Sequence, residues 1–174
     1  MKRRLIASLV IAMMLVTALA VPAMAVEPEE TEVGASVTVS EYISFTVTDP
    51  DPTGLQFGSP DPGDVDNPEA AQTETTGAVT LTVEDETNVA CNINVKATDF
   101  TYSTYTIAIT NAKYGTTNVL GNATAFVAAD TYYLLGTSTI TTETTVNVWH
   151  WLSIPSIQAA GTYTSTFTYQ AVAQ

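Results

Sequence analysis

Apolar and polar residues alternate most clearly near the end of the chain, in residues 161–172. One face of this stretch carries Tyr163, Ser165, Phe167, Tyr169 and Ala171. The other face carries threonines and Gln170. Side chains of a strand point alternately to its two faces, so this pattern predicts a strand with an aromatic face on a core and a polar face in water.

The same period of two recurs in the middle of the chain. In residues 77–84, Val79, Leu81 and Val83 alternate with threonines, and residues 89–97 place Cys91 on a face of small apolar side chains. Residues 85–88 between them have turn composition, and the two strands are therefore predicted to form a hairpin. Cys91 is interpreted as a buried core residue rather than a nucleophile, because no thiolate-stabilising partner accompanies it.

Further short strands are predicted within 35–48 and at 55–57, 105–110, 123–129, 131–135 and 146–154, with Ile107 and Ile109 pointing inward and a final hairpin closing through 154–161. Threonine, which favours strands over helices, occurs 30 times after Ala25. About eight to ten short strands separated by turns predict an all-β fold, an antiparallel β-sandwich of the immunoglobulin or jelly-roll type. A closed barrel is the alternative architecture.

The N-terminus has the pattern of a secretory signal. Basic residues at positions 2–4 precede an apolar run over 5–21, and Ala23 and Ala25 fit the small-residue cleavage rule. We expect residues 1–25 to be removed as a signal helix and the mature protein to be extracellular, either secreted or at the cell surface. An uncleaved membrane anchor is the alternative, since the apolar run approaches the length of a spanning helix.

Cleavage leaves Lys96 and Lys113 against 18 acidic side chains, a net charge of −16. Such a surface repels nucleic acid and anionic lipid, so neither nucleic acid nor, after cleavage, a membrane is an expected partner. Residues 26–34 are predicted to form an acidic flexible arm, and residues 35–174 a single domain with a long loop at 49–76 that is rich in proline and aspartate. With one cysteine, the chain cannot form an internal disulfide.

The loop at 49–76 also suggests a calcium site, because carboxylates and amide carbonyls are the ligands that Ca²⁺ takes. The candidate ligands are Asp61, Asp64, Asp66, Asn67 and Glu69. Their spacing does not follow the EF-hand loop, and Asp-Pro and Gly-Asp pairs are also ordinary turn chemistry, so a solvated loop is the alternative. No other cofactor is expected.

Trp149 and Trp151 occupy one face of the strand predicted at 146–154, and His150 lies on the other face with valines and Leu152. An outward-facing tryptophan pair would suit binding to sugar rings. Alternatively the strand is buried on both faces, or covered by the long loop, and His150 is then a structural core histidine. Asn122 opens an Asn-Ala-Thr glycosylation pattern.

Sheet edges suggest how the chain could interact with partners. A sandwich has edge strands, and the N-terminal arm runs directly into a predicted strand, so the arm could add as a strand to another copy. A head-to-tail contact of this kind produces a filament. A disordered arm is the alternative.

Two short motifs carry a resemblance to exported surface proteins of bacteria and archaea. Leu55-Gln56-Phe57-Gly58, followed by Pro62-Gly63-Asp64 and the strand at 79–83, resembles the TasA/camelysin-like fibre proteins. Ile154-Pro155 with Ala160-Gly161-Thr162-Tyr163-Thr164 resembles the WxL-type wall-associated domains, although their terminal W-x-L is absent. The resemblance covers about a third of the chain and implies a β-sandwich with a surface or matrix role.

No phosphate-binding loop, metal-ligand spacing or nucleophile motif occurs, so no enzymatic activity is expected. The first hypothesis is a secreted, non-catalytic structural protein of the cell surface or extracellular matrix, self-assembling by β-strand addition. The alternative is a module that binds polysaccharide or cell-wall glycan through Trp149 and Trp151. A hydrolase on the same scaffold is a third hypothesis, although no carboxylate pair is distinguished among the 18 acids.

Overall fold

The computed structural model describes residues 35–49, 51 and 53–174. The predicted signal (1–25) and acidic arm (26–34) lie outside these residues. One compact unit comprises Ser40–Gln174, and residues 35–39, which belong to a separate unit, have no regular secondary structure. The described part of the chain contains no helix with the length and apolar character that crossing a membrane requires.

The described residues form eleven strands and two short 3₁₀ turns. The strands are β1 Phe45–Thr48, β2 Asn67–Pro68, β3 Val79–Val83, β4 Cys91–Ala97, β5 Phe100–Tyr102, β6 Tyr105–Ile107, β7 Ala112–Gly115, β8 Thr124–Ala125, β9 Tyr133–Ser138, β10 Thr144–Leu152 and β11 Phe167–Ala173. The 3₁₀ turns span Ile109–Asn111 and Leu120–Asn122. All strand pairs are antiparallel, which confirms the all-β class.

Strand β10 organises the six-stranded sheet, whose order is β1-β3-β10-β7-β8. Its first half, Thr144 to Val148, pairs with β3, and its second half, Trp149 to Leu152, pairs with β7. The two-residue strand β2 also pairs with the end of β10. The nine residues of β10 therefore hold together segments that are far apart in sequence.

Strand β4 is central to a separate three-stranded sheet of order β11-β4-β9. A register shift interrupts its pairing with β9 between Ile93 and Asn94. Strands β5 and β6 form a two-stranded sheet, and Thr101 of β5 also bridges to Thr164.

One hydrophobic core joins the two larger sheets. The alternating apolar positions of β3 and β4 are buried, as their period of two predicts, and β10 is buried on both faces from Val148 to Leu152. Ile107 and Ile109, predicted to point inward, are 2% and 1% exposed. On β11, Phe167, Tyr169 and Ala171 pack against this core, which confirms the orientation predicted for the last strand.

Two predicted hairpins are wrong. Strands β3 and β4 do not pair with each other, because β3 lies in the six-stranded sheet and β4 in the three-stranded sheet. Likewise β10 and β11 lie in different sheets, so the final hairpin does not form. In both cases the intervening turn carries the chain from one sheet to the other, and local turn composition does not distinguish these outcomes.

Some predicted strand segments are irregular instead. Of the stretch predicted within 35–48, only Phe45–Thr48 forms a strand, and residues 35–44 have no regular secondary structure. Leu55 and Phe57, which suggested a short strand, lie in irregular backbone but still pack against the core.

Candidate functional site

An open groove of about 910 Å³ lies on the surface of the Ser40–Gln174 unit. One wall is formed by residues 53–62 and the other by residues 158–166. Its floor consists of side chains that belong to the hydrophobic core, including Phe100, Leu152 and Phe167. We call this feature the open groove. Its volume lies within the range of binding clefts in general.

The first wall is held in place by a buried carboxylate. Glu69 is only 2% exposed, and its Oε1 accepts the backbone N–H of Gln56 at 3.1 Å. Its Oε2 accepts the N–H groups of Ala71 and Gln72 at 2.8 and 3.0 Å. Three backbone donors therefore converge on this carboxylate, and the bond from Gln56 ties the 53–62 segment to the turn at Glu69.

The second wall is held by Tyr163. The hydroxyl of this residue donates to the carbonyl of Ala159 at 2.9 Å and accepts a hydrogen bond from Gln158 Nε2 at 2.6 Å. Its ring packs on Tyr102 with centroids 5.7 Å apart. Gly161 lies directly over Tyr102, because a Cβ at this glycine would clash with that ring. A glycine is thus required for the wall to approach the aromatic pair this closely.

Beneath the floor, His150 and Tyr169 form a buried pair. The His150 ring is 1% exposed, and its Nε2 lies 2.8 Å from the Tyr169 hydroxyl. Burial lowers the pKa of His150 from 6.5 to about 3, and the backbone of Lys113 opposes part of that shift. Burial, with Asp49 and Glu69 nearby, raises the pKa of Tyr169. Both side chains are therefore neutral at pH 7.

The Nδ1 atom of His150 makes no hydrogen bond of good geometry with the described residues. The ring also packs edge-on against Phe167, with centroids 5.0 Å apart. His150 is thus a core histidine, as one of the two sequence interpretations held.

Trp149 and Trp151 are each 5% exposed, so the prediction of an exposed tryptophan pair is wrong. The indole of Trp149 donates from Nε1 to the carbonyl of Thr73 at 2.8 Å, and Asn118 Nδ2 donates to the same carbonyl at 3.1 Å. The Trp151 ring packs against Gly115, where a Cβ would lie 3.5 Å from it. The loop before β3 and the loop after β7 therefore cover this face of β10, as in the alternative of a strand buried on both faces.

The five candidate calcium ligands mostly have protein partners of their own. Asp66 forms an ion pair with Lys113 at 2.8 Å, and Asn67 donates from Nδ2 to the Leu152 carbonyl at 3.0 Å. Asp64 accepts the backbone N–H of Asp61 at 2.9 Å. Glu69 binds the three backbone groups described above.

Within residues 35–49, 51 and 53–174, no three His, Cys, Asp or Glu side chains are grouped so that they could hold a metal ion. The structure therefore does not bring the five together as one ligand set. Calcium binding by this loop stays a prediction.

Cys91 and Asn122, the two remaining residues that the sequence singled out, lie in different surroundings. Cys91 is fully buried, with its Sγ 2.9 Å from Ser138 Oγ, and fills the core as predicted. Asn122 is exposed at the end of the second 3₁₀ turn. Glycosylation at Asn122 stays a prediction.

Sequence reasoning missed the open groove, because its walls come from segments about a hundred residues apart. The only local signals were the Leu-Gln-Phe-Gly and Ala-Gly-Thr-Tyr motifs, which supply parts of the two walls.

No model of a known protein family matches the chain, and no curated protein or solved structure matches it either. The resemblance to fibre proteins and wall-associated domains therefore stays an expectation.

Proposed function

We propose that this chain is a secreted, non-catalytic structural protein of the cell surface or extracellular matrix, and that its copies assemble by β-strand addition. The proposal takes the two larger sheets as the layers of a β-sandwich, which their shared core supports. It takes residues 1–25 as a cleaved export signal, which their basic, apolar and small-residue pattern supports.

The observation that carries the proposal is an unpaired segment with the pattern of a strand. Residues 35–40 (Ala-Ser-Val-Thr-Val-Ser) alternate apolar and polar side chains, yet they form no strand and all six are exposed. Val37 and Val39, which a strand would place on one face, are 88% and 75% exposed. Isolated exposed valines are common, but two on one face of a β-prone segment form an apolar edge that favours pairing with another chain.

Charge supports an assembly whose strength depends on salt. At a net charge of −16 the mature copies repel one another at long range, and salt or divalent cations reduce that repulsion. We therefore expect assembly to increase with ionic strength. If calcium has a specific role, it should increase assembly more than magnesium does at equal ionic strength.

The test is light scattering after size-exclusion chromatography, with negative-stain microscopy, on residues 26–174 over a range of protein and salt concentrations. We expect filaments or long oligomers, and a shift toward monomer when residues 26–39 are deleted. A monomer under all conditions contradicts the proposal. Fractionation of the source cells, with N-terminal sequencing of the extracellular protein, tests export and cleavage after Ala25.

A further inference from the structure

The open groove combines an aromatic floor with an acidic rim. The ring of Phe100 lies between two others, with its centroid 5.9 Å from that of Phe57 and 6.0 Å from that of Phe167, and both pairs meet edge to face. All three rings line the groove, and Phe57 and Phe167 are only half-buried. Asp49 and Asp61 also line it, and both are exposed. The groove therefore offers apolar surface and negative charge to the same ligand.

The charges around the groove disfavour an anionic ligand. No lysine, arginine or histidine lines it in the part of the chain that the structure describes. The two lysines that follow the predicted signal are paired with carboxylates elsewhere, Lys96 with Asp130 at 3.8 Å and Lys113 with Asp66 at 2.8 Å. An anion in the groove would meet only like charge, whereas a cation would be attracted by the rim.

Tyr169 brings the negative potential down to the floor. Its side chain lines the groove, and its hydroxyl lies 2.8 Å from Nε2 of the buried His150. Burial raises the pKa of Tyr169, and the charges of Asp49 and Glu69 raise it further. The phenol is therefore neutral and lies in the field of two carboxylates. A cation held between Asp49 and Tyr169 would be stabilised by the carboxylate and by the aromatic ring.

An organic cation suits this groove better than a metal ion. A calcium ion takes about six to eight oxygen ligands, whereas only two carboxylates line the groove. An ammonium group with a hydrocarbon body needs fewer oxygens, because its body is buried on the aromatic floor and the rings also stabilise its charge. The volume of about 910 Å³ lies at the upper end of clefts that bind small molecules.

We propose that the open groove binds a small organic cation, with its ammonium group between Asp49 and Tyr169. The apolar body of this ligand lies along the rings of Phe100 and Phe167. All of these residues belong to the Ser40–Gln174 unit. The inference goes beyond the proposed function and does not depend on it, because a chain that never assembles would carry the same groove.

Three probes with one apolar body and different head groups test the role of charge: 4-phenylbutylammonium, 4-phenylbutanol and 4-phenylbutyrate. Equilibrium dialysis against residues 26–174 at low salt measures their affinities whether or not the chain assembles. The ammonium probe should bind at least about tenfold more tightly than the alcohol, and the carboxylate should not bind measurably. Butylammonium, which lacks the ring, should bind at least about fivefold more weakly than 4-phenylbutylammonium. Hydrogen exchange with the ammonium probe bound should slow at residues 53–62 and 158–166.

A pair of charge-removing substitutions locates the cation. Asp49→Asn should weaken the ammonium probe at least about fivefold and leave the alcohol within about twofold. The asparagine oxygen can still accept the backbone N–H of Asp51, which Asp49 binds at 2.9 Å. Glu143→Gln is the matched control, because Glu143 is exposed, does not line the groove and lies beside the Phe45 end of β1, whereas Asp49 follows the Thr48 end. It should change both affinities by less than about twofold.

The outcomes separate a cation site from its alternatives. Equal affinities for the three head groups, exchange protection outside the two walls, or equal effects of Asp49→Asn and Glu143→Gln would overturn the proposal. Displacement of the ammonium probe by calcium or magnesium, beyond that by sodium at equal ionic strength, would show a metal site and also overturn it. Selective ammonium binding by a chain that never assembles supports this inference and refutes the proposed function, and filaments that bind no ammonium do the reverse.

Discussion

Replacing His150 by glutamine should remove a pH-dependent loss of stability. In the folded protein the pKa of His150 is lowered to about 3, whereas the ordinary value is 6.5. Above pH 6.5 the ring is neutral in both states and has no effect on the pH dependence. Below that pH the unfolded chain takes up a proton that the folded chain refuses, so stability falls until the pH reaches about 3.

The magnitude follows from the two pKa values. Each pH unit in this window contributes about 1.4 kcal/mol, so the wild type should lose about 2 kcal/mol between pH 7.5 and pH 5 through this residue alone. The His150→Gln protein lacks this loss. Comparing the two proteins cancels the carboxylates, which titrate in both.

The assay is urea unfolding of both proteins at pH 7.5 and pH 5. The free energy of unfolding of the wild type should fall by about 2 kcal/mol more than that of the variant. Tyr169→Phe is a useful control: it removes the hydroxyl that lies 2.8 Å from His150, lowering stability at both pH values while keeping the histidine's pH dependence. An equal fall in wild type and His150→Gln would refute the reasoning.

Three further substitutions test which contacts stabilise the fold. Gly77→Ala should destabilise the protein by about 2 kcal/mol or more, because its Cβ would lie 2.6 Å from a carbonyl oxygen of β10. Gly121→Ala is the control and should be neutral or slightly stabilising, because the space around Gly121 is open. Thermal melts of the pair check this, and equal midpoints would contradict it. Glu69→Gln should cost about 1–3 kcal/mol in urea unfolding, since an amide cannot accept from all three backbone donors; the exposed Glu74→Gln should stay within about 0.5 kcal/mol. Trp149→Ala should cost about 3–5 kcal/mol as a buried aromatic. If Trp149→Ala lowers the free energy of unfolding by less than about 1 kcal/mol, the loop that covers Trp149 contributes little to stability.

Strand identity could be predicted from the sequence because it is a local property. The alternation in β3, β4 and β11 and the burial of Ile107 are direct consequences of a period of two. Strand partners could not be predicted, since β3 and β4 are separated by a turn that would suit either a hairpin or a change of sheet.

The burial of the two tryptophans depends on contacts with residues that are distant in the sequence. Trp149 is covered by the loop that contains Thr73, 76 positions away, whose carbonyl accepts its indole N–H. Nothing near Trp149 in the sequence indicates this cover. The open groove has the same origin: one wall depends on Glu69 and the other on Tyr163, and no local pattern relates the two.

The single cysteine, Cys91, can report local opening of the three-stranded sheet. Cys91 is fully buried on β4, the central strand of the three-stranded sheet, against Ser138 of β9. A thiol reagent can therefore react only when that sheet separates. Under native conditions the labelling rate measures how often the sheet opens, residue-specifically and without any introduced probe.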